Sequence, residues 1–182
     1  MTDDRTFTRL GGRSIYKGRI IDVRVERYRY ADGEEAEREI VRHQGAAAVV
    51  PVDDEHVWLV RQPREPVDDP DSLELPAGRL DVEGEPPLDA AKRELAEEIG
   101  KQSPSWSPLT AYRSSVGFTD EVVHVFLAED VRDVPGAKPE AEHNERIEVV
   151  PWPLDRLGEL IEQVTDAKTL IGLLLLDRRR RG

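Results

Sequence analysis

The chain has no cysteine, so neither a disulfide nor a thiol nucleophile takes part in whatever it does. It also lacks a long apolar run. Leu173–Leu176 falls far short of the roughly 20 residues that span a bilayer, and nothing at the N-terminus reads as a signal peptide, so a cytoplasmic protein with no membrane partner is expected. Positive charge is scarce: 26 Lys and Arg stand against 38 Asp and Glu, a net charge of −12. That balance argues against a nucleic-acid surface and offers no long-range help to an anionic substrate. Such a substrate would have to arrive with metal ions, or be received by them and by a few local arginines. Repeats, low-complexity segments and Pro- or Gly-rich linkers are missing too, and 182 residues suit one body of ordinary size with a real core.

Along the chain, Met1 to Arg13 is polar and expected to fray. From Ser14 to Tyr30, Ile21, Val23 and Val25 alternate with Asp22, Arg24 and Glu26, the pattern of a half-buried strand. Asp32-Gly33 is a turn signal, and Glu37 to Val41 returns as the partner strand. Ala46–Val52 is nearly all apolar, as a buried strand would be, and Val57–Val60 is a further strand after the Asp53-Asp54 turn. Val67 to Ser72 reads as a loop and Ser103 to Ser107 as a turn. Leu109–Arg113 and Val122–Ala128 read as strands, His124 being a satisfied strand histidine rather than a ligand. Leu154–Gln163 and Lys168–Asp177 read as helices, and Arg178–Arg181 as a solvated basic tail.

The chemistry concentrates in Leu73–Lys101, a strand, a loop and a helix. Gly78 and Gly84 mark the loop, Pro86 and Pro87 suit a first helical turn, and Gly100 suits the helix end. Within the helix, Leu88, Ala91, Leu95 and Ile99 share an inward face. Glu94 and Glu98 stack four residues apart with Glu97 beside them, although like charges at that spacing cost a few tenths of a kcal/mol per pair. Helix stability does not ask for this arrangement; a hard divalent cation such as Mg²⁺ or Mn²⁺ would offset it. The plainer reading is an acidic face turned to water.

Glu85, then Arg93-Glu94-Leu95-x-Glu97-Glu98-x-Gly100, resembles the box of the Nudix hydrolases, G-x5-E-x7-R-E-U-x-E-E-x-G-U with U apolar. Two positions depart from it. Six residues separate Gly78 from Glu85, and Lys101 stands where the box ends on an apolar residue. Leu73–Gly78 resembles the family's E-L-P-A-G run, and Arg61-Gln62-Pro63-Arg64 resembles the R-Q-x-R of its ADP-ribose pyrophosphatase branch. Ser114–Glu121 resembles that branch's S-P-G-x-x-x-E loop, with Val116 in place of the proline. The acidic loop Pro139–Arg146 followed by Ile147–Trp152 resembles the D-E-x-I-E-V-x-W segment, and matching on Ile147-Glu148-Val149 and Trp152 aligns Glu145 with its carboxylate.

The resemblance implies an α/β Nudix fold, a mixed sheet sandwiched between helices, over residues 46–182. It implies an N-terminal antiparallel segment over 1–45 that pairs two subunits as a homodimer. Two to three Mg²⁺ ions (Mn²⁺ being possible) would be held by the Ala77 carbonyl, Glu94, Glu97, Glu98 and Glu145. Glu145 or a box glutamate would take the proton from water, with His143 and Glu142 as neighbours able to substitute. Arg93 would hold a glutamate in place and Glu85 would brace the loop. Arg61, Arg64 and Arg79 would meet substrate phosphates, a guanidinium being suited to grip them two-handed. The plainer alternative pairs Arg61 and Arg64 with Glu65 or Asp68. Phe118 would stack on a base and Glu121 bond a ribose, against the plain roles of packed aromatic and strand-leading acid. The implied reaction is hydrolysis of a diphosphate-linked nucleoside, with ADP-ribose giving AMP and ribose 5-phosphate as the first choice. Another sugar nucleotide of the GDP-mannose type, a dinucleoside polyphosphate, and a non-catalytic ADP-ribose-sensing module are the alternatives.

Overall fold

The computed structural model describes residues 5–136 and 146–182, and the chain divides into two compact units. One is Met1–Gly45 with Arg113–Val122; the other is Ala46–Tyr112 with Val123–Gly182.

The first unit is an antiparallel sheet of β1 (Phe7–Lys17), β2 (Asp22–Tyr30) and β3 (Glu35–Arg42), in that order. Phe7–Arg13, expected to fray, lies within β1. Gly12 lets β1 lie close against β2, since a Cβ there would come within 2.5 Å of the Val25 carbonyl oxygen. Arg9 then reaches the buried Glu26 with two hydrogen bonds of 2.7 and 2.8 Å. A turn closed by Gly18 N–H on the Ile21 carbonyl splits Ser14–Tyr30 into the end of β1 and the whole of β2. Residues 113–122 join this unit, with the Val41 N–H donating to the Phe118 carbonyl and Arg42 paired with Asp120 at 2.7 Å.

The second unit holds a mixed sheet of order β7 (Ala77–Arg79), β4 (Ala46–Pro51), β10 (Val122–Glu129), β9 (Ser105–Arg113). Its β4 runs parallel to β10 and antiparallel to β7. A second sheet has β12 (Glu148–Pro153) and β6 (Asp69–Glu74) on either side of β5 (His56–Arg64). A short ladder pairs β8 (Lys101–Gln102) with β11 (Arg132–Asp133). Alternation along β4 explains the layering. Ala47 and Val49 face the helix α1 (Pro87–Ile99), whereas Ala48 and Val50 join the core that includes α2 (Leu157–Gln163) and α3 (Ala167–Arg181). Helices therefore cover both faces, as the resemblance implies.

Three local readings change. Asp69–Ser72 is the start of β6, pairing with β5, because a short 3₁₀ turn at Glu65–Val67 and a left-handed Asp68 (φ 53°) reverse the chain sooner than the Asp and Pro content suggests. Strand β9 begins at Ser105, inside the expected turn. Arg178–Arg181 is the last turn of α3, where cations meet the negative end of the helix dipole. Among the described residues no helix is long and apolar enough to cross a membrane.

Candidate active site

The site begins with α1. Pro86 and Pro87 open the helix, and Gly100 closes it in the left-handed conformation, φ 67°, with its N–H on the Ala96 carbonyl. Ala90, Ala91, Leu95 and Ile99 are buried against Ala47, Val49 and Val60, which fixes the rotation of the helix. The three glutamates then meet different surroundings. Glu98 is only 6% exposed, and its Oε2 accepts from the Ala77 N–H at 3.1 Å. Glu94 lies over Gly78, so closely that a Cβ on residue 78 would sit 1.9 Å from Glu94 Oε1. Glu97, 49% exposed, stands at the outer edge.

Arg93 ties this set together. Its Nε and Nη2 grip both Glu85 oxygens at 3.2 and 3.0 Å, while Nη1 donates to Glu94 at 2.6 Å and Glu97 at 3.1 Å. The hydrogen bonds to Glu85, then the charge and hydrogen bond of Glu94 and the hydrogen bond of Glu97, outweigh partial burial and raise the Arg93 pKa further.

The arginines of β5 are engaged differently from the plain pairing with Glu65 or Asp68. Arg61 lies between Asp71 and Glu148, 3.5 Å from each. Arg64 donates through Nε and Nη2 to both oxygens of Glu74, at 2.6 and 2.7 Å. Glu74 is the acid of the E-L-P-A-G run and is buried; Lys168, at the start of α3, pairs with it too. Burial alone would raise the Glu74 pKa, but the Arg64 hydrogen bonds and the Lys168 charge override it and hold the group at about 2. Hydrogen bonding to Glu74 raises the Arg64 pKa against partial burial, and the charges of Asp166 and Glu98 add to the rise. Arg64 therefore shares an electrostatic neighbourhood with the box. Arg79 pairs with Asp81 within the loop, at 3.2 Å.

Phe118 and Glu121 belong to the N-terminal unit. Phe118, 55% exposed, helps line a pocket of about 470 Å³ there with Tyr28, Tyr30 and Arg42, a combination of rings and guanidinium suited to a flat base. Glu121 lies 3.2 Å from His43 Nδ1. Glu145, with His143 and Glu142, falls outside the described residues.

Lys101, the departure at the end of the box, is accounted for by its neighbours. Its stem is buried, its ammonium sits 3.6 Å over the Trp58 ring, and it pairs with Asp133 at 2.7 Å. A lysine thus fills an apolar position by burying its methylenes and bringing its own counter-charge.

The donor set fits a hard divalent cation. Glu94 and Glu97 contact one and the same Arg93 nitrogen, so the two carboxylates already share one cationic partner. Gly78 leaves Glu94 the space a side chain would take, and Glu98 is anchored beside Ala77. Oxygen-only ligands select Mg²⁺ or Mn²⁺ over softer metals. Among the described residues no three acids or histidines are already closed around one cation position; the set is an open one.

Comparison with known proteins agrees with this geometry. Residues 42–171 match the model of the NUDIX domain. The chain is 41% identical over 165 residues to the ADP-ribose pyrophosphatase of Bacillus subtilis (strain 168), covering 89% of this chain and 88% of that one. It is 38% identical over 150 residues to the ADP-ribose pyrophosphatase of Mycobacterium tuberculosis (strain ATCC 25618 / H37Rv), covering 82% and 71%. A crystal structure of an ADP compounds hydrolase superposes with a TM-score of 0.82 at 22% identity, covering 98% of this chain and 96% of that one, which speaks for the fold. With the box helix, its glycine and its bracing arginine in place on this fold, the chain belongs to the Nudix hydrolase family.

Proposed function

We propose that the protein hydrolyses ADP-ribose to AMP and ribose 5-phosphate, water attacking one phosphorus of the P–O–P anhydride and the other phosphate leaving with the bridging oxygen. The observation that carries the reaction class is the meeting of Glu94 and Glu98 with the Ala77–Gly78 backbone. The substrate rests on the likeness to two ADP-ribose pyrophosphatases over most of the chain.

Two to three Mg²⁺ ions per site, in this proposal, would supply positive charge for the diphosphate and lower the pKa of a bound water. Glu94, Glu97, Glu98 and the Ala77 carbonyl would hold them, together with Glu145. Arg93, clamped by Glu85, keeps Glu94 and Glu97 at a fixed spacing. Arg64 binds Glu74 through its Nε and Nη2 edge, so Nη1 is the edge offered to a phosphate oxygen. Glu145, or a box glutamate, takes the proton from the attacking water. Arg61 and Arg79 are proposed as further phosphate contacts, Phe118 as a base-stacking ring and Glu121 as a ribose acceptor. A cytoplasmic homodimer formed through the N-terminal sheet completes the proposal.

Product analysis on a nucleotide panel with Mg²⁺ tests it. AMP and ribose 5-phosphate from ADP-ribose are expected, and ¹⁸O-water identifies the phosphorus attacked. Faster turnover of a GDP-mannose-type sugar nucleotide or a dinucleoside polyphosphate would move the substrate assignment. Tight ADP-ribose binding without turnover would make the protein a sensor.

A further inference from the structure

Lys168 and Thr169 lie more than 60 residues beyond the box, on a helix that carries none of its motifs, yet their polar atoms point back to it. Asp166 caps α3, its Oδ2 accepting from the Thr169 N–H at 2.9 Å and the Thr169 hydroxyl at 2.6 Å. The Thr169 oxygen in turn accepts from the Leu75 N–H at 2.8 Å, in a position where Thr169 is fully buried. Lys168 bridges Asp166, at 3.0 Å, and the Glu74 carboxylate that grips Arg64. The start of α3 therefore holds two consecutive residues, Glu74 and Leu75, immediately before Pro76-Ala77-Gly78. Ala77 passes the register on to Glu98.

Packing is independent support. Gly172, one turn along α3, lies against Leu75, where a Cβ would come within 2.6 Å of Leu75 Cδ1 and 2.9 Å of Val50 Cγ2. The helix is thus pressed onto the strand it bonds, leaving that segment little freedom to slide.

We propose that Lys168 and Thr169 are positioning residues for the hydrolysis, each with a separate task; the assignment rests on the reaction proposed above. Lys168 shares the charge of Glu74. With it, the cluster of Arg64, Lys168, Glu74 and Asp166 is neutral; without it, the cluster carries one net negative charge facing an anionic substrate. Lys168 thereby keeps Arg64 electrostatically available to phosphate. Thr169 fixes the Leu75 N–H and, through it, the placement of Ala77 and Gly78 beside the box glutamates.

The two tasks separate in experiment. For Lys168→Met, KM for ADP-ribose should rise about tenfold with a much smaller change in kcat, and Lys168→Arg should recover most of the loss. For Thr169→Val, which keeps the shape but orphans a buried N–H, Mn²⁺ affinity read by electron paramagnetic resonance without substrate should weaken about tenfold, with Thr169→Ser restoring it. A fall in melting temperature with KM and Mn²⁺ affinity unchanged in both variants would reduce the pair to ordinary structural residues and overturn the proposal. If Lys168→Met does not fold, Lys168→Gln and the Arg variant supply the same KM comparison. Absence of ADP-ribose turnover in the wild type would instead overturn the reaction, and the Mn²⁺ measurement would still decide the role of Thr169.

Discussion

Replacing Gly78 by alanine should separate catalysis from folding. The added methyl would lie 1.9 Å from Glu94 Oε1 and 2.0 Å from Glu94 Cδ, against 3.4 Å for ordinary contact. The atoms it meets are the far end of a side chain, so the backbone need not move; the carboxylate must retreat by about 1.5 Å. Overpacking of this kind costs about 1–3 kcal/mol, and here the low end applies because a side-chain tip yields. For a chain of this size that lowers Tm by about 2–4 °C. Activity should fall much further, because a 1 Å misplacement of a catalytic group costs about 100-fold. The displaced group is also the one Arg93 holds at 2.6 Å. The assay pairs thermal unfolding with AMP release from ADP-ribose across a Mg²⁺ titration. In Gly78→Ala with Glu94→Ala the steric conflict is gone, so Tm should return to that of Glu94→Ala while turnover stays lost. Gly78→Ala with turnover and Mg²⁺ dependence within about threefold of wild type would refute the reasoning, since it would show Glu94's position to be immaterial.

Glu98→Gln keeps the size of a buried side chain but removes its charge, so turnover should drop by at least about 100-fold with near-normal folding by circular dichroism. Glu74→Ala breaks a buried, doubly paired charge and should cost about 3–5 kcal/mol in urea unfolding. The same carboxylate gives an acid limb of stability. Its pKa of about 2 lies below the ordinary 4.5, so its contribution is present above pH 4.5 and is lost as pH falls toward 2. That contribution is on the order of 3 kcal/mol and should be missing from the pH–stability curve of Glu74→Gln. Lys101→Met should leave turnover unchanged and Tm within a few degrees, because the buried stem is replaced by one of similar size and only the contact of the ammonium with the Trp58 ring and its ion pair with the exposed Asp133 go.

What was readable in the sequence is what local chemistry dictates. The helix α1 announces itself by Pro87 at its start, Gly100 at its end and apolar residues at helical spacing, and the glutamates follow from its geometry. Strand β4 is legible because burial on both faces leaves it no polar positions. Strands β1 and β6 are not, since their pairing depends on partners rather than on their own polar residues: Gly12 against β2, and Ser72 and Leu73 against β5. The plain alternative for Arg64 fails for the same reason. Glu65 and Asp68 are nearer in sequence, but the chain reverses at Asp68 and brings Glu74 alongside. Lys168 carries no local signal at all, 94 residues from the acid it pairs with.

The most direct test is an anomalous-scattering map from crystals soaked in Mn²⁺ with a non-hydrolysable ADP-ribose analogue. Metal peaks within coordination distance of Glu94, Glu98 and the Ala77 carbonyl, touching the diphosphate, are expected. Peaks only at other carboxylates, or a diphosphate bound away from α1, would contradict the account.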